Sequence, residues 1–397
     1  MLPLAWLLVV ILGTFVGTAL VARWTGLPIT ALEIVAGIAL VALFGVVLPS
    51  GVQALLILGS FLIVFLAGLE TNFSFLRKNW RTALSLGIPG FLVPFLGLFV
   101  LFRFVLNAPL LISLIGATAL ADTSISIVYT TLHQYDLAAL PIGRMVLAAT
   151  LAVNLAEDFT ITTTTFLSAP GLLFTGLVLV ALVAAAIALP RLAKALSEPR
   201  PTFSNIGARS LLFSIAVLAA LSSLAGVPGI LFVFLLGLLF SRFAKEEFLT
   251  DIRKLGFALF VPIYFLSVGL KVDFGFVLAN LAVLGVVVAA ASALKVGTLY
   301  PTARRYLGNA QAAPVATLMN TRLTSATVIL LLSLSLGLIT AEWYSLFISA
   351  VVVLALGSVL VLRALPSFRT TALAQELFRG EERTAPSERP AIPAPDA

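Results

Sequence analysis

The chain has no cysteine, one histidine (His133) and three methionines among its 397 residues. Disulfides, thiol nucleophiles and cysteine-held metals are excluded, and a single imidazole cannot build a histidine metal cluster. Charge is scarce as well. Asp, Glu, Lys and Arg make up 10% of the residues, where soluble domains carry roughly 25%. No hydrolase or redox constellation is present, which argues against an enzyme. What fills the chain is apolar: 61% of residues are hydrophobic and the mean hydropathy is +1.15. The apolar runs are roughly 18–25 residues long, whereas barrel strands would be about 10 and alternating. The expectation is an all-α polytopic membrane protein. The net charge of +7 sits in loops, so it reports topology and not nucleic-acid binding. The start, Met1-Leu-Pro-Leu-Ala-Trp6, lacks a basic n-region and reads as a retained helix, not a cleaved signal peptide.

Thirteen spans are expected, over 3–22, 27–47, 53–71, 82–106, 109–132, 142–167, 170–190, 206–225, 228–243, 255–271, 275–300, 311–338 and 342–365. Residues 367–397 are polar and rich in Pro, Glu and Arg, and read as a disordered cytoplasmic tail. With these spans, 20 of the 24 Lys and Arg residues fall on one side and only Arg103 and Lys271 on the other. Lys295 and Arg322 lie inside spans. The bias places the N-terminus outside and the C-terminus in the cytoplasm of a cell (inner) membrane protein.

An internal repeat runs through the chain. Gly68-Leu69 with Phe73 and Phe75 recurs as Gly269-Leu270 with Phe274 and Phe276, an offset of 201 that also aligns Thr123-Ser124 with Thr324-Ser325. Spans 1–6 (residues 1–167) and 8–13 (residues 206–366) then form two six-helix repeats joined by a linker helix at 170–190. The odd spacing gives the halves opposite orientation, an inverted repeat of the transporter kind. Chance similarity between Gly-, Leu- and Phe-rich helices is the plain alternative.

The intramembrane polar residues point to the chemistry. Glu157 and Asp158 are adjacent within Asn154-Leu-Ala-Glu157-Asp158-Phe-Thr, flanked by apolar sequence. Each charge at bilayer depth costs about 2.5–3.5 kcal/mol on insertion scales. Such a pair persists only where it faces a cavity or the protein interior and meets a cation, a proton or a base. Asn154 and Asp158 share a helix face, Thr162 continues it, and Glu157 lies about 100° round. Carboxylate, amide and hydroxyl oxygens suit a hard monovalent cation, with Asp158 as the expected ligand. Asp122-Thr123-Ser124 in span 5 and Asn320-Thr321-Arg322 in span 12 put helix-weak residues at mid-depth, as broken helices require. Polar glue between helices would account for the hydroxyls but not for Asp122 or Arg322. Lys295 reads either as the charge-compensating partner of the acids or as one half of a static salt bridge; Arg322 carries the same two readings. Glu33 reads as packing or interface, Glu70 as interfacial, and His133 as a surface residue.

These residues resemble the monovalent cation:proton antiporters, in particular the cation:proton antiporter-2 branch of bacterial exchangers. The likeness runs from about residue 5 to 365. It rests on Pro28 with Glu33-Ile-Val-Ala-Gly37, Phe65-Leu-Ala-Gly-Leu-Glu70, Thr118-Ala-Leu-Ala-Asp-Thr-Ser124, Glu157-Asp158, Tyr264-Phe-Leu-Ser-Val-Gly-Leu270, Lys295 and Met319-Asn-Thr-Arg322. The resemblance implies a sodium/proton antiporter fold with spans 5 and 12 broken and crossing, a homodimer, and elevator-like movement of a core against a dimer scaffold. It implies that Asp158 binds cation and proton alternately and that Lys295 pairs with position 157. Asp122, Thr123 and Ser124 join Asn154, Glu157 and Asp158 in the expected cation and proton site. Glu157 is longer than the family's usual Asp. Arg322 is kept where the neighbouring family glutamate is lost, and Asp122 is a candidate to replace that charge opposite Arg322. No cofactor is expected, since Na⁺ (or K⁺ or Li⁺) and H⁺ are substrates, and lipid is the surrounding partner. The rival readings are a sodium-coupled organic-anion symporter on a related fold and a channel or non-transporting sensor on the same scaffold.

Overall fold

The structure, a computed structural model, describes residues 4–46, 52–70, 80–135, 137, 140–168, 206–225, 232–234, 236–237, 252–254 and 256–365, with isolated positions at 176, 180, 184 and 250. Among the described residues every element is helical: α1 (Leu4–Thr25), α2 (Ile29–Phe44), α3 (Val52–Glu70), α4 (Trp80–Val100), α5 (Leu110–Ala121), α6 (Ile125–Gln134), α7 (Pro141–Ser168), α8 (Ile206–Ala225), α9 (Val261–Leu270), α10 (Phe274–Ala279), α11 (Leu281–Leu307), α12 (Asn309–Leu318), α13 (Thr324–Ser335) and α14 (Ala341–Ala364). Among the described residues, six stretches are long and apolar enough to cross a membrane: 83–105, 110–134, 142–164, 252–270, 281–307 and 341–364.

Local chemistry sets the boundaries. Pro28, with φ −60°, opens α2, and Gly45, with φ 59°, closes it by turning its amide back to Val41 O at 3.0 Å. Spans 5 and 12 are each broken in the middle, at 122–124 and 319–323, as the polar runs led us to expect. Span 11 needs correction. The expected helix over 275–300 is instead the short α10, capped by Asp273 Oδ1 accepting from Phe276 N–H at 3.0 Å, followed by α11 from Leu281 to Leu307. Asn280, whose side-chain amide donates to Phe276 O at 2.9 Å, closes α10 early, and the apolar run continues past Pro301. Most of the expected linker helix 170–190 and of span 9, and the 367–397 tail, lie outside the described residues.

Burial sorts the helices. The broken pair α5–α6 and the last helix α14 are largely buried, while α11 hides one stripe only: Leu284, Val287, Ala291, Lys295, Leu299 and Ala303. That three-to-four-residue spacing is one helix face, and it carries Lys295 inward. Two glycine contacts bring backbones together. A side chain at Gly37 of α2 would strike Leu266 O, and the Cα of Gly269 and N of Leu270 on α9 lie beside it. Gly237 meets Phe65 O, Gly68 Cα and Leu69 N of α3 in the same way. The three atoms in the second set are those of the first displaced by 201 residues.

Candidate functional site

The two breaks cross at the centre. Thr123 Oγ1 donates to Met319 O at 2.9 Å, Ser124 N–H donates to Thr321 O at 2.8 Å, and the Ser124 and Thr324 hydroxyls are 3.3 Å apart. Each unwound segment thus satisfies the other's backbone, which is what lets non-helical chain exist at this depth. Thr123 and Ser124, expected as ligands, spend these groups on the crossing itself.

The helix ends exposed by the breaks are capped by charge. Lys295 Nζ donates to Ala121 O at 2.6 Å, at the negative end of α5. Asp122 Oδ2 accepts from Ala326 N–H at 3.4 Å, at the positive end of α13. Both placements follow the helix dipole. Arg322 is held by Asn320 O, Asn320 Oδ1 and Ala291 O at 3.2, 3.0 and 3.0 Å. Asn320 in turn donates to Ser358 Oγ at 3.0 Å on α14.

Five ionisable groups meet around this crossing: Asp122, Glu157, Asp158, Lys295 and Arg322, each 2% exposed or less. Neither Glu157 oxygen receives a hydrogen bond, and its carboxyl lies beside that of Asp122. Asp158 Oδ1 is buried without a donor. Two expected pairings differ from what is found. Lys295 sits within electrostatic range of Glu157 and Asp122, but its hydrogen bond goes to a helix-terminal carbonyl. Asp122 acts on Arg322 electrostatically, while its own hydrogen bond goes to α13. The half-helix ends compete for these side chains and win. Asn154, oriented with its amide nitrogen toward the backbone, donates to Thr150 O at 3.1 Å and Thr123 O at 3.0 Å, tying α7 to the first break.

Sequence reading undervalued Asn320 as the polar hub of the second break and the tyrosines Tyr264 and Tyr344. Tyr344 OH on α14 donates to Val268 O on α9 at 2.9 Å. A phenol in a run as apolar as Ser345-Leu-Phe-Ile carries no signal of a partner 76 residues away. His133 is exposed, with its ring 3.9 Å from that of Tyr129, as a surface residue should be.

The model of the sodium/hydrogen exchanger transmembrane family matches residues 10–365. The chain belongs to the sodium/hydrogen exchanger family. Such a family member is a multi-pass membrane protein, in keeping with its apolar helices. A probable Na(+)/H(+) antiporter of Methanocaldococcus jannaschii is 27% identical over 60% of this chain and 63% of its own length. A Na(+)/H(+) antiporter of Enterococcus hirae is 30% identical over 55% of this chain and 59% of its own length. The alignments thus span about 60% of these relatives. The solved structure of a sodium proton antiporter from M. jannaschii shares the fold, with a TM-score of 0.67 at 14% identity over 94% of this chain and 98% of that one.

Proposed function

We propose that this exchanger-family chain is a secondary antiporter that takes up protons in exchange for a monovalent cation, Na⁺ first. The observation that carries the proposal is the charge balance at the crossing. Three buried carboxyls face two buried bases, so the fully ionised cluster holds one negative charge in excess. A low-dielectric site tolerates that excess poorly. One proton or one monovalent cation cancels it, and the two compete for the same carboxyls. The names of the relatives point the same way.

In this reading Asp158, with its donorless buried oxygen, takes the cation, and Glu157 and Asp122 share protons with it. Asn154, Thr123 and Ser124 hold the broken helix in place around it. Lys295 and Arg322 compensate charge from the helix-terminal positions described above.

The wider architecture is part of the same proposal. The reciprocal Gly37–Gly269 and Gly237–Gly68 contacts support two repeats of inverted topology within thirteen helices, 1–167 and 206–366, joined by the segment 170–190. The basic-residue bias supports an external N-terminus and a cytoplasmic C-terminal tail. A cavity of about 440 Å³ separates the α1–α2 turn from α6 and α14 on the proposed cytoplasmic side. On the opposite side α14 is closed onto α9 and α10 through Tyr344–Val268 and through Asp273 N–H to Ser345 Oγ at 2.9 Å. This one-sided opening supports elevator-like alternating access, with the crossing helices as the moving core. A homodimer completes the reading by family resemblance.

The test is proton movement in proteoliposomes on adding Na⁺, K⁺ or Li⁺. Wild type should respond to at least one ion, and Asp158→Asn should respond to none. Silence of folded, inserted wild type toward all three ions would sink the antiporter reading and favour symport or sensing.

A further inference from the structure

A carboxyl outside the crossing has no role in the exchange just described. Glu33 lies on α2, 1% exposed, and its Oε2 is buried without a hydrogen-bond partner. It is four residues before Gly37, so both occupy the face of α2 that meets α9 most closely. The helices packed against α2 are α1, α9 and α14. Among the described residues, none of their charged or titratable groups hydrogen-bonds Glu33. Arg23 is in the last turn of α1. On α9 the Tyr264 hydroxyl is buried without a hydrogen bond, and Lys271 lies beyond the helix end. On α14 Tyr344 is bound to Val268 O, Glu342 is in the first turn, and Arg363 donates to the carbonyls of Thr25 and Gly26. Among the described residues, no charged side chain acts on Glu33.

A bare carboxylate held there would have neither water nor a counter-charge. The same helix also reaches the aqueous cavity. Leu27, Pro28 and Ile29 form part of its wall, with Arg23 and Arg363 beside them, and Glu33 is one turn further along α2, about 6 Å on the helix axis. We propose that Glu33 is a second proton-binding site, separate from the crossing cluster, which is protonated while α2 is seated on α9 and α14 and ionises into the arginine-lined cavity when that seat loosens. Because the crossing does not touch it, its proton is not displaced by the transported cation. It adds pH sensitivity without adding to the exchange ratio. The proposal rests on the antiporter reading only for its transport readout.

Infrared difference spectra of purified protein, titrated with acid and base in the absence of Na⁺, K⁺ and Li⁺, test it directly. A protonated-carboxyl band that titrates in wild type and in Asp158→Asn, and is missing from Glu33→Gln, is the expected result. Identical spectra for wild type and Glu33→Gln would overturn the proposal, whatever the transport assays show. In proteoliposomes Glu33→Gln should keep the protons moved per cation while the activity–pH curve loses one titration step. A changed ratio would place Glu33 in the exchange itself and overturn its independence. Glu33→Met, apolar and of similar length, should insert as well as wild type, since it replaces a neutral group. Loss of inserted Glu33→Met together with a normal Glu33→Gln would show that the site needs hydrogen bonding and not a proton, and would also count against the proposal.

Discussion

At the scale of single residues, the site is governed by helix ends more than by ion pairs. Lys295 and Asp122 each bind a backbone group released by a helix break, so their charges are anchored independently of one another. Asp122→Asn keeps an oxygen for Ala326 N–H and removes only charge. With two carboxyls left facing two bases, the cluster is balanced without an added proton or cation, so cation-evoked proton movement should fall sharply and its pH profile should change. A pH profile of cation-evoked proton movement that stays in place would show that Asp122 is structural. Arg322 is different, because three acceptors depend on it. Arg322→Ala should destabilise the protein by about 3–5 kcal/mol, the range for removing one partner of a buried charged network. Thermal melting in detergent would register the loss, and Arg322→Lys, which keeps the charge but not the fork, should recover only part of it.

At the scale of elements, backbone contact sets the α2–α9 spacing. Any Cβ at Gly37 or Gly269 would collide with a carbonyl, of Leu266 or Ile34 respectively, which cannot rotate away as a side chain could. Gly37→Ala and Gly269→Ala should each lower stability by roughly 1–3 kcal/mol, as overpacking does. Gly285→Ala, on the outer face of α11 with nothing within 4 Å, should be neutral or slightly stabilising, because alanine favours the helix. Equal melting temperatures for all three variants would contradict the close approach.

At the scale of the whole molecule, the question is which helices move together. The chain has no native cysteine, so an engineered pair can be read without background. Asp273→Cys with Ser345→Cys joins two positions whose backbone N and side-chain oxygen are 2.9 Å apart. Oxidising that pair should stop cation–proton exchange if α14 slides against α9 and α10, and reduction should restore it. Undiminished exchange in the cross-linked protein would put α14 and α9 in the same rigid body and move the boundary of the core.

The sequence by itself determined the all-helical, apolar character of the chain, the positions of both breaks and the identity of the five buried charged groups at the crossing. Each of these follows from a local rule. Long apolar runs need internally satisfied backbone, polar runs weaken a helix where they fall, and ionisable residues at bilayer depth are too costly to keep without use. The proposed repeat rests on Gly-Leu-x-x-x-Phe-x-Phe occurring in both halves. Only the tertiary structure decided what each charge touches. Spacing along α7 places Asn154 and Asp158 on one face, but nothing local shows that Asn154 reaches Thr123 or that Lys295 prefers Ala121 O to Glu157. Those choices depend on where the two broken helices cross, and that crossing is set by backbone approaches such as Ser124 N–H to Thr321 O, between residues nearly 200 positions apart. Glu33 shows the same division. Its charge and its helix were plain in the sequence, while the burial of its Oε2 without a hydrogen bond is a property of the described helices packed around it.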